Sequence, residues 1–172
     1  ILTPGQDRIR ALIVFGGNPV TALGDPARSV PAFEELELLV CLDARMNETA
    51  RLAHYVIATS QHFERHDLSI PGDSLYPEAF AQYAPPVVPK PCGTIHDWEF
   101  FWGVASRMKL PLTLKYWNYG LSYDAIPGGL QLDMERAPDP EDMTRYLCEH
   151  GDVSFDALRA NPGGVRPERP PQ

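Results

Sequence analysis

The apolar run Leu12-Ile13-Val14-Phe15 stops on Gly16-Gly17-Asn18-Pro19, and no other stretch restricts the fold as strongly. A continuous apolar run of this length reads as a strand buried on both faces, as in a parallel sheet covered by helices. A second run, Leu38-Leu39-Val40-Cys41-Leu42, follows after about one crossover and ends on Asp43. Glycines at a strand's end let a ligand approach the backbone with no Cβ in the way, and a carboxylate ending the neighbouring strand suits the hydroxyls of a ribose or the donors of a base. The pair reads as a nucleotide-binding α/β unit. It is not a dinucleotide fingerprint, because G-x-G-x-x-G must lead straight into a helix and here Asn18-Pro19 intervenes.

Tyr55-Val56-Ile57-Ala58 supplies a third strand, ending at Thr59-Ser60. Between the first two strands, Asp25-Pro26 or Ser29 starts a helix in which Pro31 is tolerable only in the first turn, with Phe33, Leu36 and Val30 on its buried face. Asn47 caps a short helix over 48–53, whose Glu48 suits the positive end of the helix dipole. The order βαβαβ implies a parallel sheet whose strand-end loops gather at the carboxyl edge. Gly16, Gly17, Asn18, Asp43, Thr59 and Ser60 all fall there, where ligands of open α/β sheets bind.

From Asp67 the pattern changes. Pro71, Pro77, Pro85, Pro86, Pro89 and Pro91 force an extended or turning course with little room for a long regular element. After Asp97, the residues Trp98, Phe101, Trp102, Ala105 and Met108 recur at helical spacing. Asp139-Pro140 opens a further helix with Met143, Tyr146 and Leu147 as its apolar face and Gly151 as its stop, and Ser154 caps a short turn containing Phe155 and Leu158. The expected fold class is a three-layer, Rossmann-like α/β parallel sheet with a Pro-rich arm and additional C-terminal helices. The expected divisions are an α/β unit over 1–66, the arm over 67–96, a helical remainder over 97–165 and a tail over 166–172.

Composition excludes several functions. A formal charge of −8 and a pI near 5.0, with no Lys/Arg stripe, argue against nucleic acid. No apolar stretch approaches the roughly 20 residues of a membrane span, and no secretory pattern opens the chain. Cys41, Cys92 and Cys148 stand far apart, so neither a disulfide framework nor a zinc site is indicated, and no partner at recognisable spacing makes any of them a nucleophile. The start at Ile1 and the Pro-rich end lead us to expect a piece excised from a larger cytoplasmic protein, or a periplasmic one if the parent carries an export signal.

The segment from Ile9 to Val20, Ile9-Arg10-Ala11-Leu12-Ile13-Val14-Phe15-Gly16-Gly17-Asn18-Pro19-Val20, followed by Leu36 to Asp43, resembles the molybdopterin oxidoreductases of the dimethyl sulfoxide reductase superfamily. Asn47-Glu48-Thr49-Ala50-Arg51-Leu52-Ala53 is similar to that family's T-E-T-A-x-x-A-D stretch, and Ala58-Thr59-Ser60 through Glu64 to its L-P-A-T-x-x-x-E. From Trp98 to about Val165 the likeness is looser. His54 stands where the family has Asp, Arg45-Met46 replaces a more apolar pair, and Tyr55-Val56-Ile57-Ala58 lacks the Leu-Pro before Ala-Thr.

The resemblance implies a large enzyme carrying molybdenum or tungsten on two molybdopterin guanine dinucleotides, often with an N-terminal iron-sulfur cluster. This chain would be one cofactor-binding section, partnered by the remaining domains of the parent. Cofactor-binding roles are implied for Gly16, Gly17, Asn18, Pro19, Asp43, Thr49, Thr59, Ser60 and Glu64. The family's metal ligand and cluster cysteines lie upstream of the resembled segment, so the piece alone is expected to be catalytically silent, with no catalytic or metal-ligating residue of its own.

Each of these residues also has a plainer reading. Gly16-Gly17 can be a strand-ending turn, Asn18 an Asx turn, Asp43 a capping or solvated carboxylate, and Thr49 a helix back-bonder. Thr59-Ser60 can merely end a strand, and Glu64 can form surface ion pairs among His62, Arg65 and His66. His62 and His66 would share a face only in a helix, and a metal site there lacks a further ligand. Two other classes stay open: an independent NAD-type nucleotide-binding domain, and a non-catalytic docking module. The aromatic load of Trp98, Phe101, Trp102, Tyr116, Trp117 and Tyr119 marks an interface with other domains, or a surface for self-association of the isolated piece.

Overall fold

The computed structural model describes residues 1–69, 80–116, 128–149 and 153–166. It divides into two compact units, Ile1–Gln61 with Lys90–Asp97, and His62–Pro89 with Trp98–Gln172. Pro71, Pro77, Trp117, Tyr119, Gly151 and positions 167–172 of the expected tail lie outside the described residues.

In the first unit, β1 (Ala11–Phe15), β2 (Leu38–Asp43) and β3 (Tyr55–Ala58) form a parallel sheet in the order β1-β2-β3. The registers pair Ile13 with Val40 and Phe15 with Leu42, then Leu42 with Ile57 and Asp43 with Ala58. The connections carry α1 (Pro19–Ala22), α2 (Pro26–Glu34) and α3 (Glu48–Leu52). Two successive right-handed crossovers stepping in one direction put their helices on the same face of the sheet. The core agrees. Val14, Leu39 and Cys41 share one face by alternation, and they cluster with Val20, Phe33, Leu36 and Ala50 from the helical side.

The expected third layer is therefore missing from this unit. Its helices all pack on one face, and on the other Ile13 is 43%, Phe15 60% and Tyr55 64% exposed. Only the central strand is buried on both sides, through Leu39 and Cys41 on one face and Val40 and Leu42 on the other. The continuous apolar run of β1 gave no hint of this, since apolar residues on the far face read alike whether or not this unit covers them.

Two local features differ from, or account for, the sequence pattern. Pro31 stands inside α2 rather than in its first turn, because the helix starts at Pro26 with Asp25 as its N-cap. His54, the departure from the family's Asp, accepts the Leu39 N–H on Nδ1 at 2.9 Å and donates its own N–H to the Leu39 carbonyl at 2.9 Å. An acceptor is what that position needs, and imidazole supplies one as a carboxylate would.

The segment returning at Lys90–Asp97 adds a further rung to the sheet. Ile95 donates to the Ala58 carbonyl at 3.1 Å and accepts from the Ser60 N–H at 2.8 Å, as a parallel bridge between Thr59 and Ile95.

The second unit is built from short pieces. A 3-10 turn, His62–Glu64, precedes β4 (Asp67–Leu68), which pairs antiparallel with β5 (Tyr83–Ala84), and Ala81 bridges Val165. The helix α4 (Asp97–Met108) enters this unit from Trp98. It is followed by an antiparallel pair, β6 (Thr113–Leu114) with β7 (Leu130–Gln131), and by α5 (Pro140–Cys148) and α6 (Phe155–Ala160). Its core gathers Ala81, Tyr83, Cys148, Val153, Phe155 and Leu158. Asp139 and Ser154 cap α5 and α6 through their side chains, as their positions before each helix predict.

The expected faces of α4 and α5 are met in part, with Ala105 buried and Trp98, Trp102, Met143, Tyr146 and Leu147 half-buried. Gly103 and Ala105 are buried on α4 while Phe101 and Met108 are exposed, and α5 buries Thr144 and Cys148. Small residues permit the closest approach, so they and not the largest apolar groups define these contact faces. No helix among the described residues is long and apolar enough to cross a membrane.

Candidate functional site

The carboxyl edge of the first sheet is organised by a chain of side-chain hydrogen bonds. Gly16 extends the ladder by donating to the Leu42 carbonyl at 3.0 Å and then turns with φ +60°, a left-handed conformation that favours glycine. Gly17 lies outside that region, and a Cβ there would meet nothing closer than the Phe15 carbonyl oxygen at 3.9 Å. Neither backbone strain nor packing among the described residues accounts for glycine at position 17.

Asn18 is the N-cap of α1, with Pro19 in its first turn, and its side chain fastens the glycine loop to α3. Oδ1 accepts from the Thr49 N–H at 3.2 Å and the Thr49 hydroxyl at 2.8 Å, while Nδ2 donates to Glu48 Oε2 at 2.6 Å. The Thr49 hydroxyl accepts in turn from the Val20 N–H at 3.1 Å, and the residue is 0% exposed. Thr49 thus ties α1, the loop and α3 together from beneath. Glu48 has its carboxyl held below the ordinary carboxylate range, first by its own backbone N–H and then by Asn18.

Asn47 closes the other side. Its Oδ1 caps α3 by accepting from Ala50 at 2.9 Å, and its Nδ2 donates to the Gly17 carbonyl at 3.2 Å and to Asp43 Oδ2 at 2.8 Å. Asp43 Oδ1 accepts from the Arg45 N–H at 2.9 Å. A carboxylate offers about four acceptor positions, so these two bonds orient Asp43 and leave capacity for a ligand's donors. Burial and the neighbouring Asp43 push the Cys41 thiol pKa up, which keeps it a thiol.

Thr59 and Ser60 end β3 and are both buried. The Ser60 hydroxyl lies 2.7 Å from His96 Nδ1, on the residue after Ile95. Gly16, Gly17, Asn18, Pro19, Asp43, Thr49, Thr59 and Ser60 therefore all belong to the first unit and to one edge. Glu64 is on the 3-10 turn of the second unit. A cavity of about 390 Å³ between the N-terminal segment and α2, lined by Leu2, Leu23, Arg28 and Phe33, shares none of the edge residues. No group of three or more His, Cys, Asp or Glu suited to a metal ion occurs among the described residues.

Sequence reasoning missed two participants. Asn47 announced itself as a helix cap, but its cap position did not reveal that the same amide would hold the glycine loop and Asp43. His96 carried no signal, because only the return of the chain at Ile95 brings it to the edge.

No family model matches the chain. Comparison with curated proteins gives a clear direction. The similarity is to oxidoreductases. The chain is 31% identical over 107 residues to the probable oxidoreductase YyaE of Bacillus subtilis, covering 62% of this chain and 15% of that protein. It is 30% identical over 103 residues to trimethylamine-N-oxide reductase of Haemophilus influenzae, covering 58% and 12%. Against formate dehydrogenase H of Escherichia coli it is 25% identical over 154 residues, covering 81% and 21%. The chain spans about a fifth or less of the length of these relatives.

Proposed function

We propose that this chain is a cofactor-binding section of a molybdenum or tungsten oxidoreductase, holding one molybdopterin guanine dinucleotide at the carboxyl edge of β1–β3. The observation that carries the reading is Gly17. It is a glycine that nothing among the described residues requires, next to a left-handed Gly16, and a Cβ on it would make only an ordinary contact, with the Phe15 carbonyl oxygen at 3.9 Å. A backbone kept bare for close approach fits a phosphate-bearing ligand. The relatives add support: their names point to different substrates, trimethylamine N-oxide and formate, so a segment common to them suits a shared non-substrate role.

On this reading Gly16, Gly17 and Pro19 line the pyrophosphate path, and Asp43 accepts from the ribose hydroxyls or the guanine N–H groups. Asn18, Asn47 and Thr49 hold loop and carboxylate in register, so the site is formed before the ligand arrives. Thr59 and Ser60 bound the edge at β3; Glu64, for which the resemblance implies a cofactor role, lies on the second unit. When bound, the group would supply redox chemistry at its metal, with an iron-sulfur cluster contributed elsewhere in the parent. The isolated chain binds and orients but does not catalyse. The apolar face carrying Ile13, Phe15 and Tyr55 is covered by remaining domains of the parent, and in their absence supports self-association.

Melting the chain with guanosine diphosphate and with NAD tests the reading. A ligand at a hundred times its Kd stabilises by about 2.7 kcal/mol, a readily visible shift. Stabilisation by the guanosine nucleotide, lost in Asp43→Ala, supports the proposal, whereas stabilisation by NAD alone favours an independent NAD-type domain and stabilisation by neither a docking module. In the parent enzyme, Asp43→Ala with unchanged molybdenum content would refute the assignment.

A further inference from the structure

We propose that the second unit carries a binding site of its own, a cavity of about 400 Å³ that takes a small carboxylate with a ring or branched apolar body. It shares no residue with the carboxyl edge of the first sheet, so the proposal is independent of the nucleotide reading. Four stretches far apart in the chain build it: His66 just before β4, Tyr83 to Pro86 at and after β5, Glu141 in the first turn of α5, and Leu158 to Pro162 at the end of α6. Pro85, Pro86, Leu158 and Pro162 form its apolar part. Proline has no N–H to offer, and the Pro162 carbonyl already accepts from Gln82 Nε2 at 2.9 Å, so these walls present carbon to a ligand. Ligand pockets of this size combine such walls with a few fixed polar groups.

The polar groups hold one another in place. Tyr83 is buried, and its hydroxyl lies 2.7 Å from His66 Nδ1. Burial, and after it Glu141, push the Tyr83 phenol up, so the hydroxyl keeps its proton and donates it to Nδ1. The imidazole proton then sits on Nε2, which leaves a ring donor on a residue that borders the cavity. Arg159 Nη1 donates to Glu141 Oε1 at 2.9 Å, which fixes the guanidinium and leaves its Nε and Nη2 donors. Glu141 also meets Arg145 at 3.8 Å, and Arg145 meets Asp156 at 3.0 Å, so these two cations and two anions balance. The donors left on His66 and Arg159 decide the preference. An ionised carboxylate satisfies them, whereas a cation would find only a Glu141 already shared by two guanidinia.

NMR titration of the chain at pH 7 with benzoate, acetate and benzylamine tests the proposal. Benzoate should bind with a Kd on the order of 1 mM, the affinity a molecule of its size allows, and should shift the amide signals of Tyr83 and Arg159. Acetate, which lacks the ring, and benzylamine, which reverses the charge, should each bind roughly tenfold more weakly or worse. Arg159→Gln should weaken benzoate about tenfold. Its side chain is 60% exposed, so the variant should fold, with a melting temperature close to that of the unchanged chain. Glu141→Gln breaks the same ion pair but removes a negative charge, and should leave benzoate affinity unchanged or raised. Equal losses in the two variants would make the Arg159–Glu141 pair a structural strut and overturn the proposal, as would full affinity in Arg159→Gln. Benzylamine or acetate binding as tightly as benzoate, or no benzoate binding at all, would overturn it too.

Discussion

The two units solve the same problem of ordering loops by different means. In the first, side chains from separate elements meet around the buried Thr49: with the half-buried Asn18 and Asn47 it joins α1, α3, the glycine loop and Asp43. In the second, side chains such as Trp102 Nε1 and the Ser106 hydroxyl donate to backbone carbonyls, of Asp133 and Met134, and the ion pairs Arg145 with Asp156 and Arg159 with Glu141 lie at the surface. Surface pairs are worth little, while a buried network sets geometry. For the nucleotide, the first unit is built like a site and the second like a support.

The largest expected effects test that division. Leu39 and Leu158 are each 0% exposed, one in each core, and Leu→Ala at either should cost about 2–5 kcal/mol by lost transfer and cavity formation. Urea unfolding measures both losses. Only Leu39→Ala should also weaken stabilisation by guanosine diphosphate, because Leu39 lies in the core of the unit that carries Asp43. If Leu158→Ala weakens it as well, the division between a nucleotide-holding unit and a supporting one is refuted.

Next in size is the buried network itself. Thr49→Val keeps shape but leaves the Val20 N–H without its acceptor and Asn18 Oδ1 without the hydroxyl donor, which should cost about 1–3 kcal/mol. Thr144 in the second unit is also buried, yet its hydroxyl only donates to the Pro140 carbonyl one turn back, at 2.7 Å. Thr144→Val should therefore be nearly neutral, since back-bonding within a helix adds little. Equal losses in paired denaturation curves would refute the contrast between the units.

The contrast also explains what could be read beforehand. The three strands and α3 announced themselves through local signals, an apolar run or a cap lying within the element. The exposure of Ile13 and Phe15 did not, because an apolar residue carries no mark of what covers it. The Ser60–His96 contact depends on a chain return that no periodicity encodes. In the second unit, strands of two residues are too short to show alternation, and the buried positions of α4 and α5 include Gly103, Thr144 and Cys148, which a search for large apolar groups passes over.

Thiol reactivity gives a smaller effect and asks whether the two cores are equally closed. Burial pushes the Cys148 thiol up to about 11 and raises that of Cys41, whereas Cys92 is exposed. At pH 8 the thiolate fraction of Cys148 should be on the order of a hundredfold below that of an ordinary cysteine. A chromogenic disulfide should titrate one thiol, Cys92, quickly in the folded chain and the other two only on unfolding. Fast reaction at Cys148 but not Cys41 would show the second core opening more readily than the first.

The smallest effect compares two exposed carboxylates with the same physical origin. Backbone N–H groups lower the pKa of Glu48 in the first unit, through its own N–H, and of Asp133 in the second, through Glu135 and Arg136. A depressed folded pKa means the ionised form stabilises the fold above the unfolded value and loses that contribution as pH falls through the folded one. Glu48→Gln and Asp133→Asn should each lower the melting temperature slightly near pH 7, and the differences from the unchanged chain should shrink as the pH falls from the ordinary carboxylate range and vanish only below each group's depressed folded value. Ligand binding separates them. Glu48 also accepts from Asn18 at 2.6 Å, so Glu48→Gln weakens the bond that steadies the glycine loop and should reduce the shift produced by guanosine diphosphate. Asp133 has no such link and should leave that shift intact. Equal shifts in both variants would mean that the loop keeps its geometry without the carboxylate, and that Thr49 and Asn47 alone hold it in place.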